Sequence, residues 1–220
     1  MTTLISVTLA YPRALSESLV YRSAWGYGLA MRVLYGRYYA ARDAAVAAHV
    51  PDGASVLELC CGPARLYERE LRGRIGAYVA LDASERFVAR LRRRGVDARR
   101  ADVTTAELPV ADVVVMQASL YHFLPGATAI VHRMRAAART SVIIAEPVRN
   151  LASSRLGIVA RLGAGAAATA DGAQARRFDA ASLKELMDGD FGDAITFHAA
   201  VPGGREHLYV LTGAAGGAPA

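Results

Sequence analysis

V-L-E-L-C-C-G-P-A-R-L, residues 56–66, decides how the rest of this 220-residue chain is read. An apolar run ends in an acid, Glu58, then in small residues, then in a turn, and Arg65 opens a helical pattern. Strand, loop and helix in that order form the frame in which α/β proteins bind nucleotides at the carboxyl ends of their strands. A dinucleotide loop needs G-x-G-x-x-G, so that several backbone N–H groups reach a pyrophosphate. Here Gly62 stands almost alone, and Pro63 removes one N–H. The G-K-[ST] ending of a P-loop is absent as well. The loop therefore suits a ligand without phosphates, one with a ribose and an amino-acid end.

Outward from this loop, short apolar runs alternate with longer amphipathic stretches. Residues 55–59, 78–81, 112–116 and 141–145 read as strands; residues 65–72, 84–94 and 126–138 read as helices. Strands apolar on both faces, separated by helices, predict a parallel sheet covered on both sides with right-handed crossovers. The alternation stops at 147–180. A helix over 181–187 and two runs, 194–200 and 207–211, follow. The short gap between the runs predicts a hairpin, hence antiparallel strands. Before the loop, residues 15–49 have helical spacing broken by Gly26, Gly28 and Gly36, which predicts two or three helices after an arm at 1–13. The expected organisation is a helical cap over 1–50 and an α/β domain over 51–213. A second lid occupies 147–180 and a disordered tail 214–220.

Hydrophobic residues make up 53% of the chain, which fits a globule with a sizeable core. The formal charge is +6, much of it in the arginine run at 86–100. That run reads as a solvated helix face. Nucleic acid is not the expected partner, because no aromatic residues interleave for base stacking. Cys60 and Cys61 are adjacent, which suits neither a disulfide framework nor zinc-ligand spacing, and a cytoplasmic location is expected. They read as packing residues. No basic start precedes the first apolar stretch, and Arg161 interrupts residues 157–170, so neither a signal peptide nor a membrane span is expected.

The segment 56–66 resembles the first motif of the class I S-adenosylmethionine-dependent methyltransferases, commonly V-L-D-L-G-C-G-T-G. Glu58 stands for the acid, Cys61 and Gly62 match, Ala64 takes the last glycine and Cys60 the first, the main departure. Y-V-A-L-D-A-S places Asp82 and Ala83 at the end of the second strand, 24 residues after Glu58. A-R-R-A-D-V, 20 residues further on, resembles the adenine contact, and A-D-V-V-V-M-Q-A-S-L-Y-H-F resembles the fourth-strand motif. The resemblance spans residues 55–146. It implies a Rossmann-like, seven-stranded, mostly parallel sheet whose last strand is antiparallel, with S-adenosyl-L-methionine as cofactor. Asp82 would accept from the ribose hydroxyls and Asp102 from the adenine amino group, with Val103 donating its N–H. Glu58, Cys60, Gly62, Ala83, Gln117 and Ala118 would line the cofactor.

Methyl transfer disperses the sulfonium charge and needs alignment and water exclusion more than strong acids or bases. If a proton must leave the acceptor, His122 is the first candidate, then Tyr121 and Glu146. Tyr21, Trp25 and Tyr27 belong to an aromatic cluster that either caps the site or docks the amino-terminal helices. No acidic cluster for magnesium stands out, and no metal is expected. The leading expectation is methylation of a small molecule, in bacterial secondary metabolism, by a monomer or homodimer. Aminocarboxypropyl transfer, ring closure with loss of methylthioadenosine, a non-catalytic partner subunit and RNA methylation remain as alternatives.

Overall fold

The computed structural model describes residues 38–148 and 177–215. Helix α1 (Tyr38–Ala47) leads into a sheet built from β1 (Ser55–Leu59), β2 (Ala77–Asp82), β3 (Asp97–Arg100), β4 (Ala111–Gln117), β5 (Ala138–Pro147), β6 (Ile195–Ala200) and β7 (Glu206–Thr212). Helix α2 (Glu85–Arg92) joins β2 to β3, α3 (Ala127–Ala137) joins β4 to β5, and α4 (Ala180–Phe191) precedes β6.

The helices form where one face can be buried. Ser84 caps α2 by accepting the Phe87 N–H, and Phe87, Val88 and Leu91 face inward while its arginines face water. In α3 the inward stripe is Ile130, Val131, Met134 and Ala137. In α4 it is Leu183, Met187 and Phe191, behind a capping box between Asp179 and Ser182.

The seven strands run in the order β3-β2-β1-β4-β5-β7-β6. Pairs from β3 through to β5 are parallel, and β7 is antiparallel to both of its neighbours. The seven-stranded, mostly parallel sheet and the closing hairpin are thus as expected. One core packs β-strand residues Leu57, Leu81, Met116 and Tyr209 under α3 and α4. The other packs Val56, Val115 and Ile143 under α1 and α2. Strand order reverses between β1 and β4, so the loops after these two strands flank the crevice where such sheets bind ligands.

One local expectation is corrected. The arginine run at 86–100 is not one helix face. It divides between α2, a turn, and the edge strand β3, in which only Ala98 is buried. Charged side chains on an edge strand block pairing with other chains. The helix expected over 65–72 is present over 65–71, with a π-helical segment at Tyr67–Leu71. The arm at 1–13, the aromatic residues Tyr21, Trp25 and Tyr27, and most of the 147–180 lid lie outside the described residues.

Candidate cofactor and acceptor site

The loop after β1 adopts a left-handed backbone at three alternate positions, Cys60 (φ 53°), Gly62 (φ 53°) and Ala64 (φ 52°). Glycine takes this conformation freely, while a residue with a Cβ gives up about 1–2 kcal/mol there. The loop is held in place by bonds from Cys61 N–H to Leu81 O (3.2 Å) and from Ala64 N–H to Cys61 O (2.9 Å). A Cβ built on Gly62 meets nothing within 4 Å, so the loop turns this residue toward open space.

Asp82 ends β2 and fixes the loop. Its Oδ2 accepts the Gly62 N–H (2.7 Å) and its Oδ1 accepts the Ser84 N–H (2.8 Å). Each oxygen keeps a further lone pair, and burial raises the carboxyl above its ordinary range. Ala83, half-buried, links Asp82 to the α2 cap. Beyond β3, Asp102 Oδ1 accepts from the Thr104 N–H (2.9 Å) and hydroxyl (2.6 Å), leaving Oδ2 without a partner among the described residues. Arg133 of α3 braces this turn by donating to Val103 O (3.0 Å) and to Ala106 O.

Glu58 is buried on the sheet face toward α1. The Tyr78 hydroxyl donates to its Oε2 at 2.5 Å, and the Gln117 amide makes a long contact of 3.5 Å to Oε1. Burial pushes Glu58 up to about 7, against the pull of the Tyr78 bond. Gln117 Oε1 is buried without a partner among the described residues. Ala118 follows at the tip of β4 with φ 49°, its N–H bonded to Ala145 O (2.7 Å).

The turn after β4 carries Tyr121 and His122 in a short 3-10 segment, Leu120–Phe123. Glu146, on β5, is fully buried beneath it. Its carboxylate accepts the N–H groups of Ser119 (3.1 Å), Leu120 (3.0 Å) and Tyr121 (3.2 Å). Burial pushes the group up to about 8 even though these three donors favour its ionised form. Glu146 thus holds the turn through three N–H groups. His122 is half-buried and packs on Tyr121 with ring centroids 3.9 Å apart. Burial, then the charge of Arg177, pull it down to about 4. Burial raises the thiols of Cys60 and Cys61 well above the ordinary range, which keeps them protonated.

No family model matches the chain. Over 72 residues, 32% of its length, it is 46% identical to the trans-aconitate 2-methyltransferase of Mycolicibacterium gilvum (strain PYR-GCK), and the match spans 28% of that enzyme. The magnesium protoporphyrin IX methyltransferase ChlM of Synechocystis PCC 6803, solved with bound SAM, is similar over 95% of this chain and 100% of its own. The TM-score is 0.62 and the identity 13%. The [4+2]-cyclase SpnF is similar at a TM-score of 0.56 and 19% identity, over 76% of this chain and 61% of that one.

The chain has the class I methyltransferase fold. In that fold, Glu58, Gly62, Asp82, Asp102 and Gln117 all stand at or just beyond the carboxyl ends of β1 to β4, on one edge of the sheet. The methyltransferase fold also gathers residues that the linear pattern did not single out. Tyr78 reaches Glu58 because it sits two residues before Ala80, the register partner of Glu58. Arg42 and Asp43 of α1 pair with Glu206 (3.3 Å) and Arg65 (2.7 Å), all on the Glu58 side of the sheet. Arg177 lies over the Tyr121 ring. Only the strand period hints at Tyr78; the ion pairs join residues far apart in the chain and leave no local signal. No helix among the described residues is long and apolar enough to cross a membrane.

Proposed function

We propose that the protein is an S-adenosyl-L-methionine-dependent methyltransferase with a small-molecule acceptor. The observation that carries this reading is Asp82. Its carboxylate ends β2 at the sheet's crevice, ties down Gly62 and keeps two lone pairs for vicinal hydroxyls. The residues around it fit the rest of the cofactor. Asp102 Oδ2 is placed to accept from the adenine amino group, and the Val103 N–H, which has no backbone acceptor among the described residues, to donate to the ring. The orphaned Gln117 Oε1 and the buried Glu58 suit the ammonium of the methionine end. When bound, the cofactor supplies a methyl group activated by a positively charged sulfur. The chain's own part is to orient it and exclude water, with Cys60 and Ala64 narrowing the loop where the family carries glycine. The name of the Mycolicibacterium gilvum relative supports a small acceptor.

A second reading keeps the cofactor but not methyl transfer, favoured by Cys60 and Ala64 at glycine positions and by SpnF, a cyclase with a similar fold. Calorimetric titration with S-adenosylmethionine, followed by mass spectrometry after long incubation, separates the two. Binding with an intact cofactor is expected. Release of methylthioadenosine without an added acceptor overturns methyl transfer, and absence of binding overturns both readings.

A further inference from the structure

Tyr78 is a buried ionisable side chain with no direct part in methyl transfer. Its place in the strand register gives it another. Glu58 stands level with Ala80 on β2 and with Val115 on β4. Tyr78 lies two residues before that level and Gln117 two residues beyond it, so all three side chains share one face of the sheet. The Tyr78 hydroxyl therefore reaches Glu58 Oε2 from the amino ends of the parallel strands (2.5 Å), and the Gln117 amide meets Oε1 from their carboxyl ends (3.5 Å). One oxygen is drawn away from the crevice and the other is turned toward it.

The hydroxyl is itself held in place. Tyr67 stacks on the Tyr78 ring with centroids 4.1 Å apart and planes 8° apart. Tyr67 opens the π-helical segment that follows the cofactor loop, and Arg72, just past its end, lies over the Tyr67 ring. Burial, then the charge of Glu58, raise the Tyr78 hydroxyl well above its ordinary range, so it stays a donor to an ionised Glu58. Glu58 also faces Arg42 and Asp43 of α1 and Cys61 of the loop. Arg42 favours its ionised form and Asp43 opposes it, while the Cys61 thiol stays neutral.

The structure assigns Tyr78 as a positioning residue for the methionine end of the cofactor, holding Glu58 Oε2 so that Oε1 and the Gln117 carbonyl oxygen receive the ammonium. This rests on the methyltransferase reading above. An ammonium has three donors, and Glu58 Oε1 and the buried Gln117 Oε1 supply two acceptors for them. Without the hydroxyl the carboxylate loses its shortest bond and keeps its proton to higher pH. Cofactor binding draws on the ionised form, so it then sets in at higher pH.

The test uses the full chain and reads S-adenosylmethionine affinity by calorimetry from pH 6 to 9. Tyr78→Phe keeps the ring and its stack and removes only the hydroxyl. It should weaken binding about tenfold at pH 7, the scale of one charge-assisted bond, and move the rise of affinity with pH up by about one unit. At pH 9 its affinity should approach that of wild type. In a Glu58→Gln background the same substitution should change affinity by less than about twofold, because Tyr78 acts through the carboxylate. Wild-type affinity in Tyr78→Phe, a loss equal at every pH, or the same loss in the Glu58→Gln background overturns the assignment. If Tyr78→Phe does not fold, Tyr67→Leu loosens the stack from outside and should move the profile the same way by less; an unmoved profile overturns the assignment. A wild-type protein that does not bind S-adenosylmethionine overturns the methyltransferase reading, and the assignment with it.

Discussion

At the scale of single residues the loop after β1 decides the most. Cys60 and Ala64 hold left-handed backbone without being glycine, so this conformation is imposed by the surrounding bonds rather than chosen by the residues. Gly62 has the same φ and no neighbour where a Cβ would sit. Gly62→Ala should therefore cost about 1 kcal/mol in chemical denaturation, the backbone term alone, while weakening cofactor binding more than that. A loss above about 3 kcal/mol would mean that the Cβ meets protein rather than ligand space. Asp82→Ala removes the acceptor of the Gly62 N–H and, in the proposed function, that of the ribose, and should weaken S-adenosylmethionine by roughly 1–3 kcal/mol in calorimetry. An unchanged affinity would remove Asp82 from the cofactor's partners. The acids and the loop were legible because the strand ends announce them. The three N–H contacts of Glu146 were not, because a buried carboxylate that caps a turn reads in sequence like one that moves protons.

At the scale of elements, β1, β4 and β7 emerged from apolar runs, because strands buried on both faces have no other pattern to show, while the edge strand β6 is mostly exposed and emerged through its short link to β7. Strand β3 did not, since D-A-R-R carries one buried side chain and borrows its order from β2. Aromatic residues before 38 belonged to an expected lid that lies outside the described residues. The turn after β4 is an element without a pattern of its own: three of its N–H groups end on one carboxylate. Glu146→Ala should leave these donors buried and unpaired and destabilise the fold by roughly 3 kcal/mol or more. Glu146→Gln keeps an acceptor oxygen and should lose clearly less. If Glu146→Gln instead unfolds like wild type and loses only kcat, the result favours proton transfer by Glu146 over holding the turn.

At the scale of the whole molecule, the buried carboxyls make stability and cofactor binding respond to pH in opposite directions. Glu58 is pushed up to about 7 and Glu146 up to about 8, and burial raises Glu206 and Asp43 against the attraction of Arg42 and Arg65. A carboxyl raised in the folded state holds a proton that the unfolded chain has already lost, so its stabilisation is full at low pH and fades as pH rises through the folded value. His122 works the other way. Pulled down to about 4, it makes folding more favourable as pH rises from there to the ordinary histidine range near 6.5. Burial lowers His198 and His207 too, with the same sign. The two trends oppose each other below 6.5, and only the carboxyls remain above it. The ligand-free protein should lose roughly 2 kcal/mol between pH 6.5 and 8, a fall of roughly 4–8 °C in Tm for a chain of this size. An ammonium beside Glu58 favours the ionised carboxylate, so S-adenosylmethionine affinity should rise across the same interval, with protons released on binding. Thermal denaturation from pH 5 to 8.5, with and without cofactor, reads both. Glu58→Gln should flatten the pH dependence of binding and leave the Glu146 part of the stability curve in place. A ligand-free Tm that climbs steadily to pH 8 would show that Glu58 and Glu146 are ionised in their pockets throughout.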